Sequence, residues 1–365
     1  MKIGILGTRG IPNAYGGFEQ FAQYLALGMV QKGHDVWVYN SSMHPYQEKQ
    51  WNGIHLIHCK DWEDKIGTAG QFVYDYNCLH DAGKRNFDIL LQLGYTSNSI
   101  WYPLWPKRSI TVLNMDGLEW KRAKYNKITR RFLLYAESLA AKHGDVLIAD
   151  SKGIQDYILY KYHKESIYIP YGAEIIENYD SSMLKELNVE ANKYFLLIAR
   201  MEPENNIETI IKGYLISDPN DPLIIIGGFK NKFGQYLVKK YQSKKLRFAG
   251  AIYDQSSINS IRHYSLLYFH GHSVGGTNPS LLEAMACSCN IAAHDNIFNK
   301  GILQEDAYYF FDASDVSHII DLPYDEKIIH QRQEKNIEKI RNAYNWGKII
   351  DAYENVFLDA VKLKA

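Results

Sequence analysis

The chain has 365 residues, of which 46% are hydrophobic and 22% are charged. This is the composition of a globular protein large enough for two domains. Lysine plus arginine equals aspartate plus glutamate at 41 each, which excludes a global field that would attract nucleic acid.

Three further features of the sequence predict the cellular compartment of the protein. Apolar runs stay shorter than the ~18–20 residues of a membrane-spanning helix, and the chain enters a predicted strand at once, without a signal peptide. The four cysteines, at positions 59, 78, 287 and 289, lack metal-site spacing. We therefore expect reduced thiols, no metal, no cofactor and a cytoplasmic location.

The first half of the chain alternates β-branched runs with amphipathic helical stretches, the pattern of a parallel sheet covered on both faces. Strands are predicted at residues 2–6, 35–39, 55–58, 89–93, 110–114, 146–150 and 166–170. A glycine-rich loop, residues 7–17, precedes a helix over 18–32. Gly16 and Gly17 would let the backbone approach a ligand there, although a purely structural turn is the alternative. The loop is not the GxGxxG dinucleotide fingerprint.

A second group of candidate residues follows the strand at 110–114. Asp116 and Glu119 stand where a carboxylate can take a proton from an acceptor hydroxyl, although loop carboxylates are often simply solvated. We predict that the side chains of Glu119 and Trp120 contact the molecule that carries this hydroxyl. Aromatic and basic residues then interleave, which predicts a helix at a membrane surface or, alternatively, a solvated face over a core stripe. The basic residues are Lys121, Arg122, Lys124, Lys127, Arg130 and Arg131.

A polar segment, residues 174–192, separates this half from a second alternation of strands and helices. Its predicted strands are residues 194–198, 223–226, 246–249, 267–270, 290–293 and 308–311. We predict an α/β protein of two doubly wound, Rossmann-like domains, 1–175 and 190–345, facing across a cleft. An amphipathic helix closes the chain within 346–365.

Two features of the second half favour a phosphorylated ligand. Arg200 follows its first strand and can clamp a diphosphate, unless it pairs with Glu202 or Glu204 at the surface. Residues 270–286 read HGHSVGGTNPSLLEAMA, a glycine loop running into a helix whose first turn suits Pro279. Such a helix N-terminus attracts phosphate.

The same stretch supplies the other groups of a nucleotide-sugar site. Thr277 or Asn278 can cap the helix. Glu283, about one turn further on, can accept hydrogen bonds from sugar hydroxyls. Phosphate plus hydroxyls suggests a sugar nucleotide, and an ordinary glycine turn before a buried helix is the alternative.

Taken in order, these motifs resemble the retaining, two-domain glycosyltransferases of family 4, which have the GT-B fold. The resemblance runs through Gly16, Gly17 and Glu19, then GHDVxVY, ADSKGI, IPYGAE, Arg200 and LLEAMA. A narrower resemblance is to bacterial rhamnosyltransferases of capsule and cell-wall polysaccharide assembly. It rests on GTRGIPNAYGGFE, NMDGLEWKRAKY, EPENNIE and GHSVGGTNPSLLEA.

The resemblance implies dTDP-L-rhamnose as donor and a sugar on undecaprenyl diphosphate as acceptor. The first domain would bind the acceptor, the second the donor, and the closing helix would cross back to the first. Asp116 would orient the acceptor or act as base, without a metal. Arg200 and the N–H groups of Gly276, Thr277 and Asn278 would hold the diphosphate, and Glu283 the ribose. Gly16 and Gly17 would also belong to the donor site. The enzyme would sit on the inner face of the cytoplasmic membrane and bind no nucleic acid.

The chain departs from the general family at two donor-site positions. Asn205 replaces a lysine that accompanies the arginine, and Gly275 replaces the first of two glutamates. The narrower rhamnosyltransferase group shares both changes, which indicates specialisation. Two alternatives stay open, a UDP-hexose donor and a non-catalytic nucleotide-sugar-binding protein. An NAD-dependent oxidoreductase is disfavoured by the missing dinucleotide fingerprint.

Overall fold

The computed structural model describes residues 1–14 and 16–364. Tyr15, in the predicted glycine loop, and Ala365, in the predicted closing segment, lie outside the described residues. The chain forms two compact units. The first comprises Met1–Trp120, Tyr125–Tyr171 and the segment that begins at Trp346, and the second comprises Lys121–Lys124 and Gly172–Asn345.

The first unit is built on one eight-stranded sheet of order β3-β4-β2-β1-β5-β6-β7-β8. Its strands are β1 (Lys2–Leu6), β2 (Asp35–Ser41), β3 (Gln50–Trp51), β4 (Ile54–Cys59), β5 (Ile89–Leu93), β6 (Ile110–Asn114), β7 (Val146–Ala149) and β8 (Ile167–Tyr168). Its helices are α1 (Gly17–Gln31), α2 (Glu63–Ile66), α3 (Gly70–Ala82), α4 (Lys127–His143) and α5 (Lys152–Tyr162). All pairings are parallel except that of β3 with β4.

The second unit repeats this plan with a six-stranded parallel sheet of order β11-β10-β9-β12-β13-β14. Its strands are β9 (Phe195–Ile198), β10 (Leu223–Ile226), β11 (Leu246–Gly250), β12 (Leu267–His270), β13 (Ile291–His294) and β14 (Tyr308–Phe310). Its helices are α6 (Ser182–Glu186), α7 (Ile207–Ser217), α8 (Lys232–Lys240), α9 (Gln255–His263), α10 (Pro279–Ala286), α11 (Ile297–Leu303), α12 (Ala313–Asp321) and α13 (Glu326–Ala343).

Continuous apolar runs explain why both sheets are parallel. Every residue of β5, β6, β10 and β12 is buried, which requires helices on both faces of the sheet. Since crossover helices place the carboxyl ends of parallel strands at one edge, the loops after β1, β9 and β12 lie where such folds bind ligands. The predicted α/β fold with two Rossmann-like parallel sheets is confirmed.

The closing helix α14 (Trp346–Lys364) packs on α1 of the first unit. The Trp346 ring stacks on Tyr24, with centroids 4.4 Å apart, and also contacts Phe21. Glu354 accepts hydrogen bonds from Lys32 and His34, both at 2.8 Å. The end of the chain therefore completes the hydrophobic core of its first unit.

Three local predictions need correction. The two-residue strand β3 was not predicted, because two residues are too few to show a hydrophobic period. The polar segment between the two halves, for which no helix was predicted, contains the short helix α6. The basic helix does not include Lys121, Arg122 or Lys124, since it begins at Lys127 where Asn126 caps it through a 2.9 Å bond from the Thr129 N–H.

Candidate functional site

The glycine loop after β12 ends in a capped helix. Asn278 caps α10, its Oδ1 accepting a 2.9 Å hydrogen bond from the Ser280 N–H, and Pro279 occupies the first turn. Thr277, the other predicted cap, is buried. Gly275 has a φ of 133° with open space around the place of a Cβ atom. This geometry favours glycine at position 275, because other residues rarely adopt that φ.

Side-chain amides hold this loop by its carbonyl groups. The His272 carbonyl accepts from Asn296 Nδ2 and Asn299 Nδ2, both at 3.1 Å. The Gly271 carbonyl accepts from Asn206 Nδ2 at 2.8 Å. The loop that precedes α10 is therefore fixed from two neighbouring strand ends before any ligand arrives.

Glu283 has a buried partner that the sequence analysis missed. Its Oε2 lies 2.6 Å from Arg262 Nη2, and the Arg262 side chain is 3% exposed. Arg262 also donates to Ser280 Oγ at 3.0 Å. Burial lowers the pKa of Arg262, but Glu283 together with Tyr268, Cys287 and Cys289 outweighs this effect, and the pKa is raised. Arg262 thereby fixes the orientation of the Glu283 carboxylate.

Arg200 and Asn205 stand together after β9. Arg200 is exposed, as a residue that meets an anionic ligand must be. Asn205 is buried, and its Nδ2 donates to the Arg200 carbonyl at 2.7 Å. The amide that replaces lysine in this chain therefore holds the arginine loop, a use that the sequence did not indicate.

Arg122, which was predicted to lie at the membrane surface, contacts a buried carboxylate of the second unit. Its Nη1 lies 4.0 Å from Oε1 of the buried Glu204, in the second unit. The Glu204 carbonyl in turn accepts from the Ser273 N–H and Oγ, at 3.1 and 2.7 Å. Arg122 thus contacts the segment that braces the glycine loop.

The charges of Arg122 and Arg200 both act on His272. Burial, and then the positive charges of Arg200 and Arg122, lower the pKa of His272 to about 3. Its imidazole is therefore neutral at neutral pH. Two guanidinium groups therefore act on the loop that leads to α10, and their positive charge suits a diphosphate.

Asp116 occupies a constrained position in the loop after β6. Its φ is 43°, in the left-handed region, and its N–H donates to Asn114 Oδ1 at 3.1 Å. Asn114 Nδ2 donates in turn to the hydroxyl of Tyr353 on α14, also at 3.1 Å. An aspartate held at such a backbone conformation is a candidate for function.

A buried carboxylate supports the same loop from the other side. Glu137 accepts hydrogen bonds from the hydroxyls of Tyr95 at 3.0 Å and Tyr157 at 2.6 Å, and from Lys161 at 3.0 Å. Burial, with the charges of Glu137 and Asp116, holds the pKa of Tyr95 well above its usual value. Tyr95 thus stays a neutral hydrogen-bond donor next to Asp116.

The predicted acceptor residues lie on a short 3₁₀ turn. Glu119 and Trp120 are half-buried, and Lys121 ends the turn. The Trp120 ring lies 6.5 Å from Tyr157 and 5.4 Å from the ammonium of Lys161. The tyrosine cluster around Glu137 therefore positions Trp120.

In the glycine-rich loop after β1, one glycine packs closely against a neighbouring side chain. Gly16 precedes α1, and Gly17 is its first residue. A Cβ at Gly16 would lie 2.5 Å from Oε2 of Glu19, whose Oε1 accepts from the Arg9 N–H at 2.9 Å. Gly16 thus packs closely against the Glu19 carboxylate, and donor binding by Gly16 and Gly17 stays a prediction.

The other basic residues predicted at the membrane surface differ in their solvent exposure. Lys121, Lys124, Lys127 and Arg131 are exposed, and Arg130 is half-buried. Ile128, on the first turn of α4, is 79% exposed. No helix among residues 1–14 and 16–364 is apolar and long enough to cross a bilayer. Over the same residues, no group of three or more histidine, cysteine, aspartate or glutamate side chains is placed to hold a metal ion.

Family models match both halves of the chain. Residues 180–343 match the family described as glycosyl transferases group 1. Residues 1–174 match a domain of unknown function, DUF1972. No curated protein matches the sequence significantly.

Solved structures match over almost the whole length. A sucrose-phosphate synthase from Thermosynechococcus elongatus has a TM-score of 0.80 at 15% identity, covering 98% of each chain. A glycosyltransferase from Rickettsia africae has a TM-score of 0.72 at 11% identity, covering 99% of this chain and 98% of its own. HepE from Anabaena, solved with UDP, has a TM-score of 0.72 at 13% identity, covering 98% of this chain and 100% of its own. These matches establish the GT-B fold.

Proposed function

We propose that this chain, which carries a group 1 glycosyltransferase domain on the GT-B fold, transfers L-rhamnose from dTDP-L-rhamnose. The acceptor is a sugar carried on undecaprenyl diphosphate in bacterial surface polysaccharide synthesis. The main support for nucleotide-sugar transfer is the position of Glu283, which lies one turn inside the capped helix α10 and is held by the buried Arg262. The choice of rhamnose rests on the long motifs quoted from the sequence.

Donor binding follows from the charges of the second unit. Glu283 accepts a hydrogen bond from the ribose, and its pairing with Arg262 holds the carboxylate in place for that contact. Arg200, with the N–H groups of residues 276–278, holds the diphosphate, and Arg122 adds positive charge where the general family has a lysine. Fixed donors of this kind stabilise charge that develops on a leaving phosphate.

Transfer with retention needs both bonds on one face of the sugar. The bond from the anomeric carbon to the β-phosphate oxygen breaks, and the acceptor hydroxyl oxygen bonds to the same face. The acceptor proton passes to the leaving phosphate, with Asp116 orienting the hydroxyl or taking the proton first. The positive charges around Arg200 stabilise dTDP as it departs.

Membrane association follows from the proposed acceptor. A lipid-linked sugar is presented at the inner face of the cytoplasmic membrane, and the exposed Lys121, Lys124, Lys127 and Arg131 offer charge that anionic lipid attracts. Exposed Ile128 adds an apolar contact.

A UDP-hexose donor is the second candidate. HepE, solved with UDP-glucose, matches this chain with a TM-score of 0.71, which favours it. Gly275 argues against it, because a glutamate there would contact the hydroxyls of a hexose. A non-catalytic binding protein would keep the nucleotide site but show no turnover.

Thermal stabilisation by dTDP, UDP, GDP and NAD at matched concentrations tests these alternatives. A nucleotide at about 100 times its Kd adds roughly 2.7 kcal/mol to the free energy of unfolding. We expect dTDP to stabilise the protein most. Preference for UDP would exclude the rhamnosyl donor, and stabilisation by none would contradict nucleotide-sugar binding altogether.

A further inference from the structure

One side chain at the carboxyl edge of the second sheet has no role in the function proposed above. His272 is the second residue after β12. Phe269 of β12 pairs with Leu197 of β9 in parallel register. Continued for three residues, that register places His272 opposite Arg200. His272 therefore stands beside the arginine to which the diphosphate is assigned.

The backbone around His272 is held from two sides. A Cβ atom at Gly271 would lie 2.0 Å from the Asn205 carbonyl oxygen, so the loop after β9 touches the residue before His272. The His272 carbonyl itself accepts from Asn296 Nδ2 and Asn299 Nδ2, both at 3.1 Å. The position of the imidazole is therefore set before a ligand binds, as a preorganised contact requires.

The imidazole of His272 offers a ligand one of its two nitrogens. Its ring stacks on that of His270, with centroids 4.5 Å apart and planes at 19°. Nδ1 is enclosed, and it has no hydrogen-bond partner among the residues that the structure describes. Since His272 as a whole is half-buried, the ring edge that carries Nε2 is the part that a ligand can reach.

The surroundings of the ring also decide where its proton lies. An enclosed N–H without an acceptor is costlier than an enclosed bare nitrogen, so the proton belongs on Nε2 and makes it a donor. Burial and the positive charges of Arg200 and Arg122 lower the pKa of His272 to about 3. The ring is therefore neutral at neutral pH and keeps this single N–H.

We propose that His272 is a catalytic residue whose Nε2–H donates a hydrogen bond to the β-phosphate of the donor. This inference rests on the proposed function, because it requires Glu283 to hold the ribose and Arg200 the diphosphate. The first phosphate is attached to the ribose that α10 holds, so the second is the one that extends towards β9 and Arg200.

The hydrogen bond from His272 strengthens during the reaction, and His272 transfers no proton. Negative charge grows on the β-phosphate as its oxygen leaves the anomeric carbon, and a fixed donor stabilises that charge. Asn205 cannot serve in this way, because its Nδ2 donates to the Arg200 carbonyl. A neutral imidazole also stands beside two guanidinium groups without repulsion.

Three variants of His272 test which nitrogen acts. The amide of glutamine reaches the place of Nε2, whereas the shorter asparagine places its amide near Nδ1. We expect His272→Gln to retain most of the turnover, and His272→Asn and His272→Phe to lose about 100-fold, as for a lost oxyanion donor. Transfer from dTDP-L-rhamnose to a lipid-linked acceptor measures turnover. His330→Gln, at an exposed histidine of α13, is the control and should change nothing.

Nucleotide binding by the same samples separates loss of this contact from misfolding. His272→Phe should weaken dTDP binding by about tenfold and leave dTMP binding unchanged, because dTMP lacks the β-phosphate. In the full chain labelled with ¹⁵N-histidine, dTDP but not dTMP should shift the Nε2–H signal of His272.

Three results would overturn the inference. They are equal turnover of His272→Gln and His272→Asn, an unchanged ratio of dTDP to dTMP affinity in His272→Phe, and an NMR signal that places the proton on Nδ1. If the unaltered chain bound dTDP and any of these held, His272 alone would lose its role. Failure of the unaltered chain to bind dTDP would contradict the proposed function, and this inference with it.

Discussion

At the scale of single residues, the donor site depends on charges whose partners lie far away in sequence. Glu283 was predicted from its motif, but the buried Arg262 that orients it comes from another helix, α9. An arginine in that helix has no signature that links it to a nucleotide site. Its role follows from burial, since a charge with 3% exposure must be paired.

Replacing Glu283 with Gln should reduce both stability and dTDP affinity. The amide oxygen still accepts from Arg262, so we expect a loss of about 2–3 kcal/mol, below the ~3–5 kcal/mol of a fully broken buried pair. Unfolding in urea with and without dTDP measures both effects. The double variant with Arg262→Met should regain stability but not dTDP affinity. Recovery of full affinity would remove Glu283 from the site.

Replacing Asp116 with Asn should lower turnover by about 100-fold or more, in the range of general acid–base catalysis. The variant keeps the backbone N–H bond to Asn114, so dTDP affinity should stay unchanged. Transfer from dTDP-L-rhamnose to a lipid-linked acceptor measures turnover. Asp156→Asn, at an exposed position on α5, is the control. Equal turnover of both variants would leave Asp116 without a catalytic role.

At the scale of elements, the basic stretch shows what composition alone misses. Residues 121–131 look like one amphipathic surface, yet the Asn126 cap begins the helix only at Lys127, and Arg122 faces Glu204. The backbone of the cap residue Asn126 is extended, so the residues before it do not continue the helical face. The membrane hypothesis therefore rests on Lys127, Arg131 and their exposed neighbours.

Charge reversal of Lys127 and Arg131 to Glu should release the protein from anionic vesicles. Each basic residue near such a surface contributes roughly 1 kcal/mol, so affinity should fall by about thirtyfold or more. Vesicle sedimentation measures it, with Lys230→Glu and Lys244→Glu as an exposed pair of equal charge change. Arg122→Met should instead weaken dTDP binding and leave vesicle binding intact. Equal release by both reversed pairs would show non-specific attraction.

At the scale of the whole molecule, the end of the chain supports the candidate catalytic loop. Helix α14 packs on α1, and its Tyr353 is fully buried. The Tyr353 hydroxyl accepts from Asn114, which in turn accepts from the Asp116 N–H. A residue 239 positions away along the chain thus helps to fix the backbone conformation of Asp116 through Asn114.

Replacing Tyr353 with Phe should leave a buried amide of Asn114 without its partner. We expect a loss of about 1–3 kcal/mol in the free energy of unfolding. Turnover should also fall, because the Asp116 loop is held less firmly, while dTDP affinity persists. Thermal unfolding and the transfer assay measure the two effects. Tyr135→Phe, at an exposed tyrosine of α4, is the control, and unchanged turnover in Tyr353→Phe would separate the helix from catalysis.

The sequence by itself determined the two parallel sheets, most strand positions, a helix cap at Thr277 or Asn278 and the closing helix. These depend on local features, namely continuous apolar runs, turn residues and capping side chains, which neighbouring residues display directly. The two-residue strand β3 and the five-residue helix α6 were not predicted, because neither is long enough to repeat its hydrophobic period.

Only the tertiary structure decided which polar groups meet. It paired Glu283 with Arg262, Arg122 with Glu204 and Asn114 with Tyr353, and it stacked His272 on His270 beside the loop of Arg200. Hydrogen bonds and ion pairs act over a few ångströms in space, and folding brings together groups whose separation along the chain carries no periodic signal.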